Sequence, residues 1–261
     1  MIKTVKINSI GQYIDNIFSL KNGDFNNTGY IFRGVNSVNF ELSSSLYRYC
    51  NDIDTRNYVE SRLLQNFKKY ALLIEPQIFD SIWNTMFIAQ HHGIPTRLLD
   101  FSSSPLIALH FALDDNKNED AAVWAINLSE IHSNSLPDEY ITILKRNNAF
   151  SFTIEMIEEI CSTIKDYNDD MNGEHFLVIE PPSIDIRIIN QGSLFAVLPN
   201  DLDPLDVYLK NSFVKNIAIK YIIPKEKISQ FRTQLDEMNI TERILFNDLD
   251  GIAKYLKRRY Q

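Results

Sequence analysis

The sequence predicts an α+β fold, and three observations carry that expectation. Compact apolar runs of strand length, such as Ala121 to Asn127 and Leu194 to Leu198, are interspersed with segments of helical spacing. Strands and helices do not follow strict βαβ alternation, which favours α+β over a doubly wound sheet. At 261 residues, 44% hydrophobic and 23% charged, the chain can bury a sizeable core and has an ordinary globular composition. It reads as a single domain over 1–261 with a helical insertion at about 129–171.

The first helix is expected after Ser9, because Ile10, Tyr13, Ile14, Ile17 and Phe18 fall on one stripe. The polar stretch Lys21 to Asn27 reads as a turn, and Gly29 to Phe32 as a short strand ending at Arg33-Gly34. Tyr58, Val59, Leu63, Phe67, Tyr70, Ala71 and Ile74 give Thr55 to Glu75 helical spacing, stopping before Pro76. A further helix, Ile78 to His92, ends at Gly93, the residue best able to take a left-handed cap. Ser104 before Pro105 is an N-cap and first-turn proline, so Pro105 to Leu113 is a buried helix. Ala121 to Asn127 is a central strand, and the acidic, irregular Ser129 to Met171 is a helical insertion or lid. His175 to Glu180, Leu194 to Leu198 and Val214 to Ile223 are strands closed by Pro181, Pro199 and Pro224. Pro224 starts an amphipathic helix through Met238, and Asn247 caps a last helix to about Tyr260.

Composition narrows the function. With 26 basic and 34 acidic residues the net charge is −8, a poor basis for gripping phosphate backbones without sequence preference. No apolar run reaches the length of a bilayer span, and the N-terminus lacks the apolar core of a secretory signal. Cys50 and Cys161 stand far apart without metal-ligand spacing, so a reduced cytoplasmic setting without a metal is expected. No repeat of 20–50 residues recurs. The Gly-x-Ser-x-Gly elbow, His-Glu-x-x-His, Walker loop and Gly-x-Gly-x-x-Gly are all missing.

The unusual residues gather in four places. Glycine is sparse, eight in 261, so each is more apt to answer a backbone need. Arg33 at a strand end can present a planar fork to a phosphate or carboxylate, and Gly34 lets a ligand or neighbouring backbone come close. A structural ion pair is the plainer role for that arginine. In Gln90 to Asp100, His91 and His92 project roughly 100° apart on a helix and cannot chelate one metal as an i, i+4 pair would. One imidazole could bond a ligand or Asp100; the structural alternative ties the helix end down through Arg97–Asp100 pairing. Ser102-Ser103-Ser104 at a helix start forms an anion- or ribose-binding cup, though a simple cap needs only one hydroxyl. Finally, Arg187 to Phe195 contains a Gln191-Gly192 turn that either carries an amide toward a site or merely bends the chain.

Together these blocks resemble the FRG domain family of bacterial proteins: Phe32-Arg33-Gly34, then Gln90 to Asp100 continuing through Phe101 to Ala112, then Arg187-Ile188 with Gln191-Gly192 and Phe195, then Leu245 to Gly251. Asn247 stands where the family more usually has proline. The order of elements is also similar to that of mono-ADP-ribosyltransferases: an arginine-bearing strand, a serine-rich strand-to-helix segment, and a later strand with Glu or Gln-x-Glu. That second resemblance implies an ADP-ribosyltransferase-like mixed sheet core with N-terminal, inserted and C-terminal helices.

The likeness further implies a cleft for NAD or a related nucleotide built by Arg33, Gly34, His91 or His92, Ser103 or Ser104, and Gln191. NAD would be the substrate, cleaved or transferred at the ribose C1′, with a protein acceptor or partner and a setting in bacterial defence or as a toxin. Transfer needs a carboxylate beside the ribosyl cation, and Gln191 is neutral with Ser193 two residues on. Glu180 and Asp100 are the carboxylates that could supply it. The alternative is a non-catalytic module that binds a nucleotide or partner.

Overall fold

The computed structural model describes residues 2–20, 29–50, 52–74, 81–115, 118–183, 185–202, 204–212 and 217–260. Among them, β1 (Lys3–Lys6), β2 (Tyr30–Val35), β3 (Leu98–Ser102), β4 (Ala121–Asn127), β5 (Leu177–Ile179), β6 (Ser193–Val197) and β7 (Ala218–Ile223) form one mixed sheet. Its order is β1-β7-β4-β2-β3-β6-β5; β1 and β7 are parallel and every other neighbouring pair is antiparallel.

The sheet has a seam. β2 pairs with β4 along its whole length, from Tyr30 opposite Asn127 to Val35 opposite Ala122. β3 pairs likewise with β6, from Leu98 opposite Val197 to Ser102 opposite Ser193. Yet β2 and β3 register with each other only at Phe32 opposite Ser102. Two ladders therefore meet at one residue pair, and the ladder does not continue through Arg33 and Gly34.

Side-chain alternation along the strands feeds cores on both faces. Ile31, Leu99, Phe101, Trp124, Ile126 and Ala196 build one core that crosses both ladders. On the other face the cores are separate. Phe32, Val123, Ala125 and Tyr221 pack with residues of α1 (Ile10–Leu20), α5 (Pro105–Leu113) and α12 (Ile228–Glu237). Leu98, Leu177, Phe195 and Val197 pack with α4 (Ile82–His91) and with α7 to α9 (Asp138–Arg146, Ile154–Glu158 and Ile164–Met171), whereas Leu128 and Ile131 of α6 (Leu128–Ser135) join the first core. Helices α7 to α9 thus supply core residues such as Tyr140, Ile157, Tyr167 and Met171, and serve as wall rather than lid.

Several expected elements keep their bounds. Pro105–Leu113 and Ala121–Asn127 are α5 and β4, and Ser104 caps α5 by accepting from the Ile107 N–H. Gly93 takes φ +81° past α4. Others shift. Lys21 to Asn27, Glu75, the 78–80 start of the α4 helix and the 214–216 start of the β7 strand lie outside the described residues. β1, β3, α2 (Ser45–Tyr49), α10 (Ile186–Gln191) and α11 (Leu205–Asn211) add to the expected set, as does α13 (Glu242–Phe246). Asn247 does not cap the last helix, α14 (Leu249–Arg259). It ends α13 in the left-handed conformation, and Asp248 caps α14 by accepting from the Gly251 N–H at 2.6 Å. Helix α3 (Ile53–Ala71) forms where its spacing predicts, although most of its apolar stripe is not its buried face. Tyr58 and Tyr70 are exposed, while Arg56, Glu60 and Leu64 face inward.

Candidate functional site

A cleft of about 500 Å³ opens at the seam, within the ~300–1,000 Å³ of small-molecule sites. Strand β2 contributes Arg33 and Gly34, β3 contributes Asp100 and Ser102, and Gln90 and His91 come from α4. Arg187 and Gln191 of α10 and the rings of Phe111 and Phe246 close the other side.

Arg33 spans the gap where the strands part. Its Nη1 donates to the Asp100 carbonyl and lies 3.7 Å from the Asp100 carboxylate. Its Nε is buried and has no hydrogen-bond partner. Burial lowers the guanidinium pKa from its ordinary value, with Asp100 opposing the shift and Arg48 adding to it. The Asp100 side chain is 57% exposed, and Gln90 Nε2 approaches its oxygens at 3.3 and 3.5 Å. Gln90 is itself held, because its Oε1 accepts from the Thr96 hydroxyl. The carboxylate is thus oriented by neighbours yet open to the cleft.

Gly34 has a structural duty. A Cβ there would stand 1.9 Å from the Ala108 carbonyl oxygen and 2.5 Å from the Ala112 nitrogen, so helix α5 rests directly on β2. Gly192 works similarly at the end of α10, where φ is +53° and a Cβ would meet Ser103 Oγ at 2.5 Å. This closeness lets two motif blocks clasp: Ser103 N donates to the Gly192 carbonyl at 2.8 Å, and Ser102 Oγ to the Gln191 carbonyl at 2.6 Å.

The candidates named from sequence divide. Arg33, Gly34, His91, Asp100 and Gln191 line one cleft. His91 Nε2 sits 2.9 Å from the carboxylate of Asp185, the N-cap of α10. Gln191 Nε2 donates to the Leu245 carbonyl at 3.2 Å, tying α10 to α13. The other four lie elsewhere. His92 is exposed, its ring 6.2 Å from that of Phe67. Ser104 is occupied as the α5 cap, and Ser103 is exposed beside Gly192, so Ser102 is the serine of the run that reaches the cleft. Glu180 follows β5, the outermost strand of its ladder, where it accepts from Ser151 Oγ outside the cleft lining.

Arg97 does not pair with Asp100. Positions three apart on a strand point to opposite faces. Arg97 instead turns inward to Glu60, with Nε 3.0 Å from both carboxylate oxygens. Its Nη1 donates to Asn168 Oδ1, and both members of the ion pair are about 1% exposed.

Gln90, Arg187 and Phe246 belong to the cleft without a role assigned from the sequence, as does Ser102 beyond its place in the serine run. All four stand inside or at the edge of the four motif blocks, which was the signal available. Arg187 pairs with Asp248, so the third block is bonded to the fourth, and its guanidinium carbon lies 5.9 Å from the Phe246 ring centroid.

An α+β protein with a ligand-sized cleft at a seam in its sheet is the class these features define. Residues 28–121 match the family described as FRG domain, and the chain carries an FRG domain over that stretch. The match includes Phe32-Arg33-Gly34 and the whole Gln90 to Ala112 block; Arg187 and Leu245 to Gly251 lie beyond it. Comparison with curated proteins and with solved structures returns no match. No helix among the described residues is long and apolar enough to cross a membrane.

Proposed function

We propose that the seam cleft binds NAD or a related nucleotide. The observation that carries the reading is Arg33: a half-buried guanidinium at the parting of two strands, with one buried N–H donor unused. A phosphate oxygen is the natural acceptor for such a donor in a site shielded from water. Phe111 and Phe246 offer apolar faces for a base or nicotinamide ring, and His91 and Arg187 add donors along the wall.

Cleavage is the reaction to test. The C1′–N bond breaks, nicotinamide leaves with the electron pair, and water or an acceptor nucleophile adds at C1′ and loses a proton. The ribosyl cation formed on the way needs a nearby carboxylate. Of the two considered, Asp100 lines the cleft and Glu180 does not, which favours Asp100 for that role. A second reading, a non-catalytic nucleotide-binding module, draws support from Gln191, whose neutral amide is already committed to the Leu245 carbonyl.

Nicotinamide release from NAD distinguishes the two. Release by the native chain, abolished by Asp100→Asn and retained by Glu180→Gln, supports catalysis at Asp100. Binding without release supports the module. Failure of both NAD and ADP-ribose to bind refutes the proposal.

A further inference from the structure

Helix α14 is turned inside out. Its one deeply buried residue is Gly251. Two of its basic residues point inward: Arg258 bonds Asp236 at 2.7 and 2.8 Å and Glu242 at 2.7 and 2.8 Å, and Lys254 Nζ reaches Asp114 at 2.6 Å. On the opposite side Leu249, Ile252, Leu256 and Tyr260 fall at helical spacing into one stripe. They are 84%, 39%, 45% and 84% exposed. An ordinary surface helix has the reverse arrangement, and a continuous apolar stripe in water marks an interaction surface.

We infer that this stripe is an interface between two copies of the chain, with α14 packed antiparallel against α14 across a twofold axis. This inference is independent of the cleft and its ligand. The occupant is argued from self-complementarity, which a twofold interface requires. Reversing the helix about its middle sets Ile252 against Leu256 of the second copy and Leu249 against Tyr260. Asp250 and Lys257 are both exposed and seven residues apart, about two turns, so they lie on one flank of the stripe. The same reversal sets Asp250 of each copy against Lys257 of the other, giving two opposite-charge contacts related by symmetry. An 11-residue helix is only about 16 Å long, so the pair buries less than the ~800 Å² per partner of a standard interface. A reversible, concentration-dependent dimer is therefore expected.

Sedimentation equilibrium of the full chain, from micromolar to near-millimolar concentration, tests the inference. The native chain should rise toward twice its 30.3 kDa as concentration increases. Leu256→Glu should remain monomeric with an unchanged Tm, because Leu256 contributes little to the monomer's core. Asp250→Lys and Lys257→Asp should each weaken dimerisation several-fold, and combining them should restore it. A native chain that stays monomeric throughout overturns the inference, and one that is monomeric yet sediments with anionic vesicles overturns it in favour of a lipid surface. A dimer indifferent to Leu256→Glu, or a double reversal that fails to restore association, also contradicts it.

Discussion

Arg33 and Arg97 both come from motif blocks, Arg33 within β2 and Arg97 just before β3, but their surroundings are opposite. The Arg97 side chain is 1% exposed and its Nε, Nη1 and Nη2 all donate, to Glu60 and Asn168. Glu60 also accepts from Asn200 Nδ2 at 3.2 Å. That site is closed in its bonding: each charge has its partner, although Glu60, Arg97 and Asn168 also line a cavity of about 770 Å³. The Arg33 side chain is 22% exposed, leans on one carbonyl and a carboxylate at 3.7 Å, and keeps an unused Nε–H beside a cleft. The closed site binds α3, β3 and α9 together. The open one has bonding capacity left for a ligand.

Breaking the closed site should have the largest effect. Arg97→Met strands the Glu60 carboxylate in the interior and should cost roughly 3–5 kcal/mol by urea unfolding. Adding Glu60→Leu to that variant should recover much of the loss; if the single variant unfolds like the native chain, the pair is not buried in solution. Gly34→Ala comes next. Its methyl must push α5 off β2, a strain of about 1–3 kcal/mol visible in the thermal midpoint. An unchanged midpoint would mean α5 has freedom to shift.

A smaller, graded effect separates the regions by pH. Burial, with the Arg232 guanidinium adding to it, holds the His110 imidazole down at about 4, and burial alone takes His132 to about 3. Both folded values lie below the unfolded histidine value of about 6.5, so the unfolded chain binds more protons as pH falls. Stability should be complete above about pH 6.5 and decline as pH drops toward 4. His110→Gln combined with His132→Gln should flatten that decline; a slope that persists unaltered would assign it to other groups.

How far the sequence reveals these distinctions depends on the range of the interaction. Pro105–Leu113 and Ala121–Asn127 are legible because cap, proline and apolar run are local. Strand β1 is not, since only Val5 of its four residues is even half-buried and its pairing to β7 crosses most of the chain. Helix α10 buries no residue, so it lacks the periodicity that would reveal it; only Gly192 at its end is visible. Within the site, Arg33 and Asp100 can be singled out by residue type and neighbours. The partner of Arg97 cannot, because Glu60 is 37 residues away on the polar face of α3, where the apolar stripe points attention to the wrong side. Glu180 misleads for a related reason: its strand is legible, but its place at the outer edge of the sheet is a matter of long-range order.

Under the proposed function, Arg33 is the open arginine, held for a phosphate rather than for the fold. Calorimetric titration of NAD into the native chain and into Arg33→Lys, with the Tm of each recorded, tests it most directly. Lysine keeps the charge but loses the planar fork and its Nε–H. Affinity should weaken by about tenfold or more, with a Tm nearly unchanged. Equal affinity with a lowered Tm would contradict it, making Arg33 a second Arg97.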